Sequence, residues 1–131
     1  MNLTTNEIIN SHHPKKHAQS FGYAISGLAH VLRYEKNFRV HLFFIFLVIL
    51  LGSYFNLEKL EWILLTITIG LVLSSELLNS VIEELIDHLV KEHHEGVRII
   101  KDVSAGAVLV SAMISLIVGL FIFLPKILTL F

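Results

Sequence analysis

Five side chains able to move protons or bind polar ligands recur in one short stretch: Glu76, Asn79, Ser80, Glu83 and Asp87. On a helix turning about 100° per residue, the last four fall within roughly 60° of Glu76. The opposite side, Leu77, Leu78, Val81, Ile82 and Leu85, is apolar. The stretch begins inside an apolar run and ends in a charged loop. An acid at membrane depth is costly and marks a working site. Glu35, Glu76 and Glu83 therefore form a candidate acidic cluster at an apolar–water boundary. Mg²⁺ takes oxygen ligands, often one or two carboxylates plus substrate phosphates. Glu35 and Glu83, near the surface, suit that role. Glu76 is deeper, where desolvation suits a general base. Asn79 can hold a phosphate, a substrate hydroxyl or a metal-bound water. Lys101 and Arg98 can neutralise phosphate charge.

Structural readings stand beside these. Glu76 can pair with a cation or hydroxyl inside a bundle, and Glu83 and Glu84 can be a solvated helix end. Asp87 and Asp102 suit local pairing or capping, with Asp102 to Ser104 reading as an N-cap region. His88, His93 and His94 sit in a charged loop, and adjacent histidines do not share one helical metal face. Phe43, Phe44 and Phe46 read as lipid-facing packing. Ala105-Gly106-Ala107 reads as close helix packing by small residues.

The elements that must position these residues are helices in a membrane. The 131 residues suffice for one domain, and 54% are hydrophobic, more than a soluble domain of this size needs. Residues 1–15 read as a polar, flexible leader and 16–131 as the membrane domain. The start lacks a basic region followed by an apolar one, so no cleavable signal is expected. From Lys16 to Arg39 the pattern is helical, with Phe21, Ala24, Ile25, Leu28, Val31 and Leu32 at three and four spacings. Basic residues flank it, as in a helix lying in the membrane interface. Three apolar spans follow, about Val40–Phe55, Leu60 or Trp62–Ser75, and Val103–Leu124. The third alone reaches the roughly 20 residues that cross a bilayer. Asn56 to Lys59 forms a short hairpin connection, and Glu95-Gly96 punctuates the loop before the third span. Lys15, Lys16, Arg33, Lys36, Arg39, Lys91, Arg98 and Lys101 lie on one side, against Lys59 and Lys126 on the other. The positive-inside rule places the N-terminus and the 87–102 loop in the cytoplasm.

Several classes are excluded. With no cysteine there is no disulfide, thiolate metal site or cysteine nucleophile. A net charge of −1 argues against a nucleic-acid surface. Neither GxxxxGK[ST] nor a GxGxxG opening a helix is present. Any use of ATP must rest on an unrelated arrangement.

Glu76-Leu-Leu-Asn79-Ser80-Val-Ile-Glu83, then Asp87 and Lys101-Asp102-Val-Ser104-Ala105-Gly-Ala-Val, resembles the signature of the small prokaryotic diacylglycerol kinase and undecaprenol kinase family. Gly22-Tyr23-Ala-Ile-Ser-Gly27-Leu and Glu35-Lys-Asn37-Phe38-Arg39-Val-His41 match it too, and the similarity covers about residues 20–124. The resemblance implies an all-α membrane protein: an interfacial amphipathic helix plus three transmembrane helices, assembled as a homotrimer with active sites at subunit boundaries. It implies transfer of the γ-phosphoryl of ATP to a lipid hydroxyl. Glu76 is then the base, and Glu35 and Glu83 hold Mg²⁺ with ATP. Tyr23, Asn79, Asp87, Glu92, His94, Lys101 and Asp102 fall on the nucleotide side, and Ser104 and Ala105 join Glu76 on the lipid side.

The chain departs from the best-known diacylglycerol kinases where Ser26 and Ala29 replace basic residues and His41 replaces an acid. The Asn37–His41 run resembles the Gram-positive undecaprenol kinase branch. The expectation is a cytoplasmic-membrane lipid kinase acting on undecaprenol. Diacylglycerol is the alternative acceptor. A small non-enzymatic oligomer relaying ions or protons through Glu76 is the alternative of another class.

Overall fold

The computed structural model describes residues 14–91 and 94–130. The leader expected at 1–15 falls outside these up to residue 13, as does Glu92. Every regular element among the described residues is a helix: α1 (Pro14–Tyr34), α2 (Lys36–Tyr54), α3 (Lys59–Leu89) and α4 (Glu95–Leu128). The chain divides into two units, one ending at Glu35 and the other running from Lys36.

The first unit is α1. Pro14 opens it, where a missing N–H is no loss, and Arg33 in its last turn complements the helix dipole. Its apolar stripe stands exposed at Phe21, Ile25 and Leu28. The helical pattern expected from Lys16 to Arg39 is interrupted. The Glu35 N–H still bonds the Val31 carbonyl, and a new helix starts at Lys36. The break falls where a one-sided apolar stripe gives way to a segment apolar all round. Such patterns suit different surroundings.

In the second unit α3 and α4 form the main pair, and α2 packs on α3. All three are long and apolar enough to cross a membrane. Their outward faces stay apolar, with Phe43 and Phe44 each 58% exposed, a surface that water would not tolerate. Leu57, Leu65, Ile122 and Phe123 make a core at the end nearest the α2–α3 turn, with Phe55 and Trp62 packed against it. That turn is tight. Asn56 takes a positive φ of 47°, which a short polar side chain tolerates. Glu61 accepts the Glu58 N–H at 2.8 Å, and its carboxylate meets Lys126 Nζ at 3.1 Å, tying the start of α3 to the end of α4.

The start of α4 differs from expectation. Helix α4 begins at Glu95, eight residues before the apolar span, so Glu95 and Gly96 lie in its first turn rather than in a loop. The N-cap is accordingly His94, and Asp102 and Ser104 lie inside the helix. Helicity needs no apolar surroundings: Glu95 and Arg98 pair one turn apart at 3.7 Å. Nor is the small-residue run closely packed within the chain, since a Cβ on Gly106 would meet nothing within 4 Å.

Candidate functional site

The buried face of α3 runs Leu65, Thr68 and Val72, then turns polar at Glu76, Asn79 and Ser80. Burial and polarity thus coincide on one stripe, as the helical spacing predicts. Glu76 is 2% exposed. His41, on α2, brings Nε2 to 3.8 Å from a Glu76 carboxylate oxygen.

One turn further along α3, Asn79 organises a network. Its Nδ2 donates to Glu83 Oε1 at 3.1 Å, while its Oδ1 accepts from Ser104 Oγ of α4 at 2.6 Å. This amide orientation is the consistent one. Reversed, it would set an oxygen against a carboxylate oxygen. The Ser104 hydroxyl also lies 2.9 Å from the Lys101 carbonyl of its own helix. Beyond the network, Lys101 Nζ donates to Asp87 Oδ1 across α3 and α4. Asp87, His94, Arg98, Lys101 and Asp102 line a pocket of about 280 Å³ there. On the apolar side, a groove of about 480 Å³ lies between α2, α3 and α4, lined by His41, Phe44, Val48, Val72, Leu116 and Phe123 among others.

The residues expected from the sequence are distributed as follows. Glu76, Asn79 and Glu83 follow one another along α3, and Ser104 and Lys101 meet that helix from α4. Ala105 is exposed beside Ser104. His94 and Asp102 share the polar pocket with the Asp87–Lys101 pair. Tyr23, 75% exposed on α1, and Glu35, half-buried at its end, belong to the first unit. Among the described residues no group of three acidic or histidine side chains converges as a ready-made metal cage. One or two carboxylates completed by phosphates need no such cage. His41 beside Glu76 is a neighbour that sequence reasoning missed, having noted it as part of the Asn37–His41 run and as replacing an acid but given it no place at the site. Its position at the polar entrance of an apolar span was the available signal.

The family described as prokaryotic diacylglycerol kinase matches residues 22–123, most of the chain. The chain belongs to this family. It is 41% identical over 108 residues to the undecaprenol kinase of Bacillus subtilis (strain 168), covering 82% of this chain and 88% of that protein. It is 39% identical over 112 residues to a diacylglycerol kinase of Synechocystis, covering 85% of this chain and 64% of that protein. The diacylglycerol kinase of Escherichia coli (strain K12) is 29% identical over 96 residues, 73% of this chain. As a prokaryotic diacylglycerol kinase family member, the chain is a membrane lipid kinase. That sets aside the non-enzymatic relay.

Proposed function

We propose that this kinase phosphorylates undecaprenol, with Glu76 as general base. The observation carrying the mechanism is a carboxylate 2% exposed, on the same helix stripe as Asn79 and Glu83 and 3.8 Å from His41, which lines an apolar groove. The groove takes the lipid tail and leaves the hydroxyl at Glu76. Glu76 removes the hydroxyl proton, and the oxygen bonds to the γ-phosphorus. The bond from the γ-phosphorus to the ADP oxygen breaks, and its electron pair leaves with ADP. The proton ends on Glu76. Kinship with the Bacillus undecaprenol kinase, together with the Asn37–His41 run, favours the polyprenol acceptor.

Glu83 suits Mg²⁺. Asn79 fixes one of its oxygens, and a carboxylate retains acceptor capacity on both. Glu35 is the second proposed ligand, and bound Mg²⁺ would supply charge neutralisation for the phosphates. Lys101, Asp102, His94 and Tyr23 are proposed for the nucleotide, with Asp87 holding Lys101. Glu92, outside the described residues, is proposed near the purine. Ala105 is proposed for the lipid. We assign the N-terminus and the end of the bundle where α3 meets α4 to the cytoplasm on the basic-residue bias. The working unit is proposed to be a homotrimer in the bacterial cytoplasmic membrane.

Transfer of labelled γ-phosphate from Mg-ATP to undecaprenol and to diacylglycerol, assayed separately in micelles, tests the acceptor. Undecaprenol should react faster, and a preference for diacylglycerol would reverse the assignment. Glu76→Gln should lower turnover at least about 100-fold with assembly intact. Near-normal transfer by that variant would remove Glu76 as base.

A further inference from the structure

Ser80 is the anomaly on the catalytic face. It is 5% exposed, and its Oγ has no hydrogen-bond partner among the described residues. The other buried hydroxyls all find a carbonyl of their own helix. Thr68 donates to Leu65 at 3.1 Å, Ser104 lies within reach of Lys101 at 2.9 Å, and Ser111 donates to Ala107 at 2.9 Å. Such back-bonding is the usual recourse of a hydroxyl on a helix. Ser80 does not take it. A buried hydroxyl without a partner lowers stability, so its presence in a polar stripe calls for a partner that arrives later.

Its place on α3 indicates which one. Ser80 stands about 6 Å along the axis from Glu76 and about 4.5 Å short of Glu83, within about 60° of both. In the proposed mechanism Glu76 marks the acceptor hydroxyl and Glu83 the nucleotide phosphates. Ser80 thus lies at the level where the phosphoryl group passes between them. Asn79, the other neutral donor at this level, gives one of its two Nδ2 hydrogens to Glu83 and is held in place by it. A phosphoryl group in transfer spreads charge over three peripheral oxygens and is stabilised by donors already in place.

We propose that Ser80 Oγ donates a hydrogen bond to a peripheral oxygen of the γ-phosphoryl group during its transfer. This rests on the assignment of Glu76 and Glu83. Ser80 contributes no electrons and keeps its proton, and the bonds made and broken are those given above.

The test uses the full-length kinase with undecaprenol and Mg-ATP. Ser80→Ala should lower kcat about 10- to 100-fold, while both KM values stay within about twofold. Its Tm without substrates should be unchanged or higher, because no bond is lost. Ser80→Thr, which keeps the hydroxyl, should recover most of the rate. Wild-type kcat in Ser80→Ala would overturn the proposal. So would a parallel loss of Tm and activity, which marks a structural hydroxyl, or a raised lipid KM at unchanged kcat, which marks a contact to the acceptor. Glu76→Gln, run alongside, separates the two levels. An active Glu76→Gln means that the base assignment fails, whereas an inactive Glu76→Gln beside a fully active Ser80→Ala means that Ser80 alone is wrong.

Discussion

Removing the Ser104 hydroxyl should reveal which substrate that residue serves. The family resemblance puts Ser104 with the lipid, yet its Oγ lies 2.6 Å from Asn79 Oδ1, and Asn79 in turn holds Glu83. Ser104→Ala removes one bond between α3 and α4 and strands the amide oxygen of a residue only 5% exposed. A buried acceptor left unpaired costs about 1–3 kcal/mol, more than the roughly 1 kcal/mol of an average hydrogen bond. At this chain length each kcal/mol moves Tm by about 4 °C, so the variant should melt roughly 4–12 °C lower. The amide, freed at one end, no longer orients the Glu83 carboxylate. Loss of even about 1 kcal/mol there raises the half-saturating Mg-ATP concentration about fivefold. Initial rates across Mg-ATP and lipid titrations, with melting followed in the same detergent, separate the effects. A rise in lipid half-saturation with Mg-ATP unchanged would refute the coupling through Asn79 and return Ser104 to the acceptor. Ser104→Thr, which keeps the donor, should stay close to wild type.

Two further substitutions probe other parts of the fold and site. Gly52→Ala would place a Cβ 2.6 Å from Trp62 Cη2 and 2.9 Å from Cζ2, so the indole must shift at a cost of about 1–3 kcal/mol. Trp62 is the single tryptophan, so its emission should change as Tm falls, and an unaltered Tm would show that the α2–α3 corner yields freely. Glu83→Gln should raise the Mg²⁺ needed for half-maximal rate at least about tenfold. An unchanged Mg²⁺ titration would take Glu83 out of the metal site.

Helix number and the polar stripe were legible because both depend on local periodicity. Glu76, Asn79 and Glu83 share a side whatever surrounds them, and an apolar run long enough to span declares itself. Contacts between helices were less legible. His41 and Glu76 are far apart in sequence, and their 3.8 Å approach depends on the rotation of α2 against α3. The Ser104–Asn79 bond likewise needs the register of α4. Reading Asp102 to Ser104 as a helix start failed for a different reason. A window without charges finds the part of a helix that lipid permits, whereas the helix extends as far as its backbone bonds and charge pairs support it. Pairs such as Glu95–Arg98 and Asp87–Lys101 extend α4 beyond the apolar span.

Helix length is what allows the proposed chemistry. Helix α3 has 31 residues and is about 46 Å long, against a bilayer core of about 30 Å. One rigid element can therefore hold Leu65 and Val72 in an apolar core and Asp87 beside a polar pocket. A lipid alcohol and a nucleotide come from phases that do not mix, so a kinase joining them must fix both reacting ends to within a fraction of an ångström. Loops reaching from water into lipid would strand backbone polar groups, which lipid does not satisfy. A helix satisfies its own, and it sets Glu76 and Glu83 about 10 Å apart along its axis at nearly the same angle. The distance between proposed base and proposed metal ligand is thereby fixed by helical geometry. Inserting one alanine between Ser80 and Glu83 would turn Glu83 by about 100° and break the register while leaving every side chain present. Abolished transfer with retained assembly would support this account, and retained transfer would refute it.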